Sequence, residues 1–344
     1  MTGHDIIVIG ASAGGVEALT QLVGGLPEDL AASIFVVLHI PANSTSILAK
    51  ILDRAGRLPA VTAKDYEAIQ PGRIYVAQSD YHLLVKRGHV RMTRGPKENT
   101  SRPAIDPLFR TAARYYGRRV IGVVLTGTLD DGTAGLLSIK SRGGIAIVQD
   151  PDEALYSGMP RSALENVAVD HCLPLAEIPA LLVRLVNEPV EEEGESAVSN
   201  DMQKEIDIAE MELDELKDEH RPGAPSRYTC PECHGVLFEI DEEALLRFRC
   251  RVGHAYSAET LLSEQSGALE AALWAALRSL EENVSLARRL AERMRERGNM
   301  ISATRFDERA DELQNRVGVI RNVLVNQEPV IMKESDAISD APTT

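Results

Sequence analysis

Short apolar runs alternate with amphipathic segments over the first 187 residues, and this alternation limits the folds that the chain can adopt. Segments with helical spacing, such as VEALTQLV and PLFRTAARYYG, separate the apolar runs. The runs are IIVI (6–9), SIFVVL (33–38), RIYV (73–76), RVIGVVLT (119–126) and IAIVQ (145–149). Buried strands that alternate with helices are typical of a parallel sheet covered on both faces. Residues 1–187 are therefore predicted to form a doubly wound, mostly parallel α/β domain. LLVKRGHVRM (83–92) predicts a hairpin that turns at Gly88 and adds to this sheet.

The chain changes character after residue 187. Residues 188–221 carry 14 acidic side chains against three basic ones, which is most of the net charge of −15. This stretch predicts an acidic linker over 188–226, with a helix in its second half. Residues 227–257 hold three of the four cysteines, and 258–326 have the spacing of a helical hairpin or coiled coil. The hairpin could mediate self-association, and residues 327–344 are expected to be disordered.

Composition argues against two classes of partner. A chain with a net charge of −15 and 4% aromatic residues lacks the basic, stacking surface that nucleic acids require. No apolar run approaches the ~20 residues of a membrane span, and the N-terminus does not have the pattern of a signal peptide. We therefore expect a cytoplasmic protein with no nucleic-acid partner and no membrane insertion.

The segment IIVIGASAGG contains the first candidate catalytic residue. Ser12 lies in a G-x-S-x-G sequence between a predicted strand and a predicted helix, where a serine hydroxyl is exposed beside free N–H groups. Such glycine-rich turns also bind phosphates, although Ser12 stands where the dinucleotide fingerprint needs glycine and no Walker lysine follows. Nucleophile and phosphate loop both remain open from this segment alone.

A histidine and an aspartate pair follow two other predicted strands. His39 comes after SIFVVL, and Asp130 and Asp131 come after RVIGVVLT. Functional sites of parallel sheets lie at the carboxyl ends of strands. Serine, histidine and aspartate together can supply a nucleophile, a general base and an orienting carboxylate. The histidine could equally be structural and the Asp-Asp-Gly a helix cap. The order Ser–His–Asp along the chain disfavours the α/β-hydrolase fold, which has Ser–Asp–His.

Five ordered motifs carry a family resemblance. IGASAGG, VLHIPANSTSILAKILDR, SRPAIDPLFRTAA, VLTGTLDDGTAGL and SGMPRSAL together resemble the catalytic domain of the CheB-type chemotaxis protein-glutamate methylesterases. The resemblance implies a doubly wound α/β fold and hydrolysis of glutamate γ-methyl esters on chemoreceptors, with release of methanol and no catalytic cofactor. Deamidation of receptor glutamines would accompany it in many members. The expected partner is a methylated chemoreceptor or a related signalling protein.

The same resemblance assigns roles to residues of this chain. Ser12 matches the nucleophile, His39 the base and Asp131 the orienting acid, whereas Asp130 occupies a position where the family often has Asn. The backbone at 127–128 is expected to face the site and donate to the oxyanion.

Two residues near the cleft and one departure from the family complete the resemblance. Arg102 and Asp106 lie in family motifs and are expected to position substrate or support structure, with structure favoured. Typical members carry a receiver domain before the catalytic domain. Here the catalytic strand starts near residue 5, so we expect control to come from another part of the chain or another protein.

The three cysteines of residues 227–257 have metal-ligand spacing. Cys230, Cys233, Cys250 and His254 form a C-x2-C-x16-C-x3-H pattern, which can supply four tetrahedral ligands to zinc. A module of about 30 residues is too small to bury a core alone, so a structural zinc is predicted in preference to free thiols. His234 could compete as a ligand, although its adjacency to Cys233 disfavours it. The module resembles the extension of some stand-alone CheB-type proteins and could dock a partner or the catalytic domain.

Two functions of different class therefore follow from the sequence. The favoured one is a carboxylic-ester hydrolase that acts through Ser12, His39 and Asp131. The alternative is a non-catalytic signalling scaffold that binds receptors through the zinc module and the helices. A nucleotide-binding domain is a third hypothesis, which tight nucleotide binding at the glycine turn would support.

Overall fold

The computed structural model describes residues 3–44, 46–190, 200–211, 223–242 and 245–326. Its contacts divide the chain into two compact units, Met1–Leu261 and Leu262–Thr344. The first unit contains the predicted α/β domain, a helix of the predicted linker and the cysteine module. The predicted tail over 327–344 lies outside the described residues.

A seven-stranded sheet forms the centre of the first unit. Its spatial order is β3–β4–β2–β1–β7–β8–β9, and every neighbouring pair is parallel. The strands are β1 (Ile6–Ala11), β2 (Ser33–Leu38), β3 (Ala60–Thr62), β4 (Arg73–Val76), β7 (Val120–Val124), β8 (Ile145–Gln149) and β9 (His171–Leu173). All five predicted strands are present. The two edge strands, β3 and β9, have three residues each and were not predicted.

Helices cover both faces of the sheet. They are α1 (Gly15–Gly24), α2 (Leu48–Ala55), α3 (Ile105–Tyr116), α4 (Thr133–Ser141), α5 (Gly158–Asn166) and α6 (Ile178–Val186). Side chains of α1, α2 and α6 join one core with Ile7 and Ile9 of β1, whereas α3, α4 and α5 join a second core with Ile6 and Val8. The alternation along β1 buries both faces of the strand. The doubly wound α/β prediction is confirmed.

The predicted hairpin is present, but it does not extend the main sheet. Strands β5 (His82–Lys86) and β6 (His89–Thr93) form a separate two-stranded antiparallel sheet, and Gly88 takes a left-handed conformation at φ 79° in the turn. Thr111 of α3 accepts a hydrogen bond from the Val85 N–H at 3.2 Å. The apolar face of the hairpin joins the second core, which explains why it packs on α3 instead of pairing with an edge strand.

A linker helix and a small antiparallel sheet complete the first unit. Helix α7 (Asn200–Glu210) buries apolar residues of the predicted linker. Residues 191–199 and 212–222 of that linker lie outside the described residues. The cysteine module folds as a sheet in the order β10–β11–β12–β13. Its strands are β10 (Ala224–Thr229), β11 (Val236–Glu242), β12 (Leu245–Cys250) and β13 (Ala255–Ser257).

Two long helices form the remainder of the described chain. Helix α8 (Ala258–Glu296) begins in the first unit, and α9 (Met300–Asn326) follows a turn at Gly298, where φ is 74°. Apolar residues of both helices pack together in the second unit as the predicted hairpin. Self-association of this hairpin stays a prediction. No helix among the described residues is long and apolar enough to span a membrane.

Candidate active site and metal centre

The three predicted catalytic side chains meet at the point where the strand order reverses. β2 flanks one side of β1 and β7 the other, so the chain winds in opposite directions from this central strand. Ligand sites of open α/β sheets lie outside the carboxyl ends of strands at such a reversal. Ser12 follows β1, His39 follows β2 and Asp131 follows β7.

Hydrogen bonds join the three side chains into a chain. The Ser12 Oγ lies 3.1 Å from the His39 Nδ1, and the His39 Nε2 lies 2.7 Å from an oxygen of Asp131. The His39 side chain is 17% exposed and that of Asp131 is 3% exposed, so this series of hydrogen bonds runs from the surface into the interior. The ring is turned relative to the chymotrypsin arrangement, in which the carboxylate binds Nδ1. Either ring nitrogen can act as the base when the other carries the proton.

The environment of Asp131 favours its ionised form. Burial by itself would raise the pKa of this carboxyl, but hydrogen bonds from His39, the Ile105 N–H and Asn99 outweigh burial and hold the pKa at about 2. The Ile105 N–H opens helix α3 and donates at 2.6 Å, and the Asn99 Nδ2 donates at 3.0 Å. A helix N-terminus stabilises a negative charge. Asp131 is therefore an anion at neutral pH.

Asp130 and Asp131 are adjacent in the chain but have different surroundings. Asp130 accepts hydrogen bonds from the hydroxyls of Ser257 and Thr260, at 2.8 and 3.0 Å. Burial raises the pKa of Asp130 to about 6, in spite of these bonds. Asp130 is thus directed to Ser257 and Thr260 and makes no hydrogen bond to His39.

The two cleft residues named from family motifs have structural contacts. Arg102 donates to Asp80 at 2.9 and 2.5 Å and to the Gly95 carbonyl at 2.8 Å. Asp106 is buried and accepts from the N–H groups of Gly132 and Gly135 at 3.0 and 2.7 Å. Burial and the adjacent charge of Asp131 raise the pKa of Asp106 well above its usual range.

The backbone beside Ser12 corrects part of the oxyanion prediction. A Cβ on Gly127 would lie 2.9 Å from the Ser12 Cβ, so this backbone is in direct contact with the serine. The Gly127 N–H, however, donates to the Tyr156 carbonyl at 2.9 Å and cannot also stabilise an oxyanion. Within the part of the chain that the structure describes, the N–H groups of Ala13 and Thr128 make no hydrogen bond. Ala13 directly follows the serine, which is the usual position of one oxyanion donor.

The predicted metal ligands lie in one cluster. Their four donor atoms are all within 4.8 Å of one another. The His254 Nδ1 lies 3.7 Å from the Cys230 sulfur and 3.6 Å from the Cys250 sulfur, and the sulfurs of Cys233 and Cys250 are 3.6 Å apart. Zinc–sulfur bonds of about 2.3 Å in a tetrahedron separate sulfurs by about 3.8 Å, so the cluster has the size of a zinc site. His234, the competing ligand, is not a member of this group.

The site also contains residues that the sequence analysis did not single out. Asn99 bonds to the Asp131 carboxylate, and Ser257 and Thr260 bond to Asp130. Ser257 is 127 positions from its partner along the chain. The one local signal is the sequence Asn-Thr at 99–100, a dipeptide of turn-forming residues, which predicts a turn but no contact.

Comparisons with known proteins find similarity over the first half of the chain. The family model described as CheB methylesterase matches residues 7–182. A Pyrococcus abyssi protein-glutamate methylesterase/protein-glutamine glutaminase is 40% identical over 184 residues, which are 52% of this chain and 50% of that protein. A Leptospira interrogans protein, named as a candidate for the same activity, is 42% identical over 53% of this chain and 95% of its own length.

A solved structure is similar over the same region. The crystal structure of the Thermotoga maritima CheB methylesterase catalytic domain aligns with a TM-score of 0.51 and 37% identity, over 54% of this chain and 100% of that one. The chain spans about half the length of the Pyrococcus relative. The similarity therefore covers the α/β domain, and residues beyond 187 lie outside the family match.

Proposed function

Because the chain belongs to the CheB methylesterase family over residues 7–182, we propose that it hydrolyses glutamate γ-methyl esters on chemoreceptor-like signalling proteins and releases methanol. The observation that carries the proposal is the hydrogen-bonded chain of Ser12, His39 and Asp131 at the strand-order reversal. Glutamine deamidation at the same site, with ammonia in place of methanol, is part of the proposal. Chemoreceptor substrates of this kind would require a cytoplasmic location.

Ester hydrolysis follows from the geometry in two halves. In the first, the His39 Nδ1 takes the Ser12 proton while Oγ attacks the ester carbonyl, and the protonated ring then gives this proton to the departing methanol. In the second, His39 removes a proton from water as the water attacks the acyl-serine, and the ring then returns this proton to the Ser12 Oγ as the glutamate leaves. Asp131 accepts the Nε2–H throughout and stabilises the charged imidazolium. The N–H groups of Ala13 and Thr128 are the proposed donors to the oxyanion.

Methanol release from a methylated chemoreceptor fragment tests the proposal. The full chain is compared with Ser12→Ala and with Ser44→Ala, a serine of the loop after β2 whose hydroxyl donates to the Pro41 carbonyl at 2.7 Å. We expect Ser12→Ala to lose at least about 10⁴-fold in rate, the scale of triad deletions, and Ser44→Ala to retain full activity. Equal release from the wild type and Ser12→Ala would refute the triad and favour the scaffold hypothesis.

The proposal for the cysteine module is a structural zinc. Cys230, Cys233, Cys250 and His254 would hold it, and the sulfur and nitrogen donors at 3.6–3.7 Å support this choice of metal. Zinc binds cysteine as the thiolate, so loading of the cluster would release the thiol protons. When bound, zinc would crosslink the ends of the module sheet. Four protein ligands close the coordination sphere, which excludes this site from the esterase chemistry.

Elemental analysis of the full chain, purified without chelators, tests the metal. We expect one equivalent of zinc, and a large loss on His254→Asn. Less than half an equivalent in the wild type would contradict the site.

A further inference from the structure

The cysteine module pairs with a loop of the α/β domain through its edge strand. The Asn99 N–H donates to the Ala255 carbonyl at 2.8 Å, and the Ala255 N–H donates to the Lys97 carbonyl at 3.2 Å. The Lys97 ammonium also lies 2.6 Å from Glu232 of the module. Backbone pairing covers the free edge of β13 and fixes its register against residues 97–99.

The side chain of Asn99 continues this contact to the triad. Its Oδ1 accepts the Ser257 N–H at 3.0 Å, while its Nδ2 donates to Asp131 at 3.0 Å and to Asp106 at 3.1 Å. One buried amide, 9% exposed, thus touches the module on one side and the candidate catalytic carboxylate on the other.

The backbone at Asn99 explains how the amide is aimed. The backbones of Glu98 and Ser101 exchange two hydrogen bonds, each N–H donating to the carbonyl of the other residue. Asn99 and Thr100 between them have φ values of 46° and 64°. Two central residues with positive φ define a type I′ turn, in which asparagine is favoured at the first position. The turn therefore suits the same residue type that bridges the two carboxylates.

A second contact reaches the neighbouring aspartate. The Ser257 hydroxyl donates to Asp130 and accepts the Thr260 N–H at 3.0 Å, which makes it the cap of helix α8. Thr260 donates its own hydroxyl to the same oxygen of Asp130. Residues 255–260 thus hold the loop after β7 at Asp130 directly and at Asp131 through Asn99.

Buried ion pairs fix the module in this position. Glu98 binds Arg110 of α3 at 2.6 Å and Arg249 of β12 at 3.1 Å. Glu205 of α7 binds Arg247 at 2.9 Å and Arg249 at 2.8 Å. The five side chains are between 1% and 6% exposed. Charges that are buried only when three segments meet tie those segments into one arrangement, because separation would leave them unpaired.

The metal-ligand cluster lies at the base of the contacting strand. Cys250 ends β12 and His254 immediately precedes β13, with the Cys250 N–H donating to the His254 carbonyl at 2.9 Å. The turn that carries these two ligands leads directly into Ala255 and Ser257. Any ion held there would fix the turn that sets the position of both residues.

We propose that Asn99 is a positioning residue for Asp131, and that the metal-loaded cysteine module supports the esterase triad through Asn99, Ser257 and Thr260. The effect on catalysis rests on the proposed function, but the coupling between the cysteine module and the loop of Asp130 and Asp131 does not depend on activity. The module is thereby a structural part of the active site.

The first experiment compares two glycine substitutions in one turn of the full chain. Asn99→Gly removes the amide yet tolerates the positive φ, whereas Thr100→Gly alters the same turn and keeps the amide. Methanol release gives kcat and KM, and the rate at which a fluorophosphonate labels Ser12 reports on the triad without a receptor. We expect Asn99→Gly to lower kcat and the labelling rate about 10- to 100-fold, the scale of one hydrogen bond to a charged group, with KM unchanged. Thr100→Gly should retain both rates.

The second experiment compares two histidine substitutions in the module. His254→Asn removes a proposed ligand, and His234→Asn removes an exposed imidazole next to Cys233 that lies outside the cluster. Hydrogen–deuterium exchange of residues 97–106 and 127–133 is measured with zinc content. We expect faster exchange in both segments and slower labelling of Ser12 for His254→Asn only.

The outcomes separate the two proposals. If His254→Asn loses zinc while exchange at 127–133 and labelling of Ser12 stay at wild-type values, the coupling is refuted. Equal kcat for Asn99→Gly and Thr100→Gly, with wild-type zinc in both, would also refute it. If wild-type Ser12 is inert to substrate and to the fluorophosphonate, the esterase proposal fails, and exchange on zinc loss still decides the coupling.

Discussion

Replacing Asp130 with Asn should stabilise the first unit at neutral pH, by an amount that follows from the buried carboxyl. Burial raises the pKa of Asp130 to about 6 from its ordinary 3.8. Between these values the unfolded chain ionises while the folded chain keeps its proton, so stability falls as pH rises through this window. The folded and unfolded pKa values of Asp130 differ by about 2.2, which corresponds to about 3 kcal/mol of lost unfolding free energy at pH 7.5. Asparagine escapes that cost, since its amide oxygen can accept the same hydroxyls of Ser257 and Thr260.

Asp131→Asn is the matched control because its sign is opposite. The pKa of Asp131 is about 2 when folded, below its ordinary 3.8, so the ionised form stabilises the protein above pH 3.8 and this contribution is lost as pH falls towards 2. Its replacement should therefore destabilise the first unit at neutral pH. Adjacent substitutions of the same type should move stability in opposite directions.

The measurement must report on the first unit. The single tryptophan, Trp274, lies in the second unit, so its fluorescence does not serve. Hydrogen–deuterium exchange of peptides from β1 and β7 across a urea titration gives the unfolding free energy at pH 3.5, 5 and 7.5. We expect the Asp130→Asn gain to be near zero at pH 3.5 and to reach its maximum above pH 6. A gain independent of pH, or a loss at pH 7.5, would refute the reasoning.

Three further outcomes follow from packing and charge. Glu205→Ala leaves Arg247 and Arg249 with one carboxylate fewer. It should lower the unfolding free energy by about 3–5 kcal/mol in the same exchange assay. A loss below about 1 kcal/mol, the scale of an exposed ion pair, would contradict the buried network. Gly127→Ala places a methyl group 2.1 Å from the Met159 sulfur. We expect kcat to fall about 100-fold in the methanol assay. Gly267→Ala, where the added methyl group meets open space, should leave kcat unchanged. Zinc at 100 times its Kd should stabilise the chelator-treated first unit by about 2.7 kcal/mol in exchange titrations, and absence of any zinc dependence would argue against the cluster as a site.

The sequence predicted those parts of the site that depend on local pattern. Ser12, His39 and Asp131 each follow an apolar run, and in a parallel sheet the ends of such runs meet at one edge. The spacing of the cysteines likewise identified the cluster that the structure brings together. The short edge strands escaped prediction because three residues carry too little periodicity to distinguish a strand from a loop.

The support of the site could not be predicted, because its contacts join residues far apart in the chain. Glu205 lies in an acidic stretch that reads as solvated, and nothing local distinguishes it from its 13 acidic neighbours. It is buried because Arg247 and Arg249, 42 and 44 positions later, fold against it. Asn99 reads as an ordinary turn residue for the same reason. Local composition reports the average environment of a segment and not the one side chain that a distant element covers.

The chemistry of this interface explains why it contains charges where apolar side chains would give similar stability. Buried ion pairs often add little net stability over well-packed apolar residues, but they are satisfied in few arrangements, whereas an apolar face can slide. Asn99 must lie within about 3 Å of both the Ser257 N–H and the Asp131 carboxylate to make its two bonds, and a shift of about 1 Å would break one of them. The pairs of Glu98 and Glu205 with Arg249 act on the strand next to β13, close enough to hold that register. The proposed support of Asp131 by a separate module requires an interface of this specific kind.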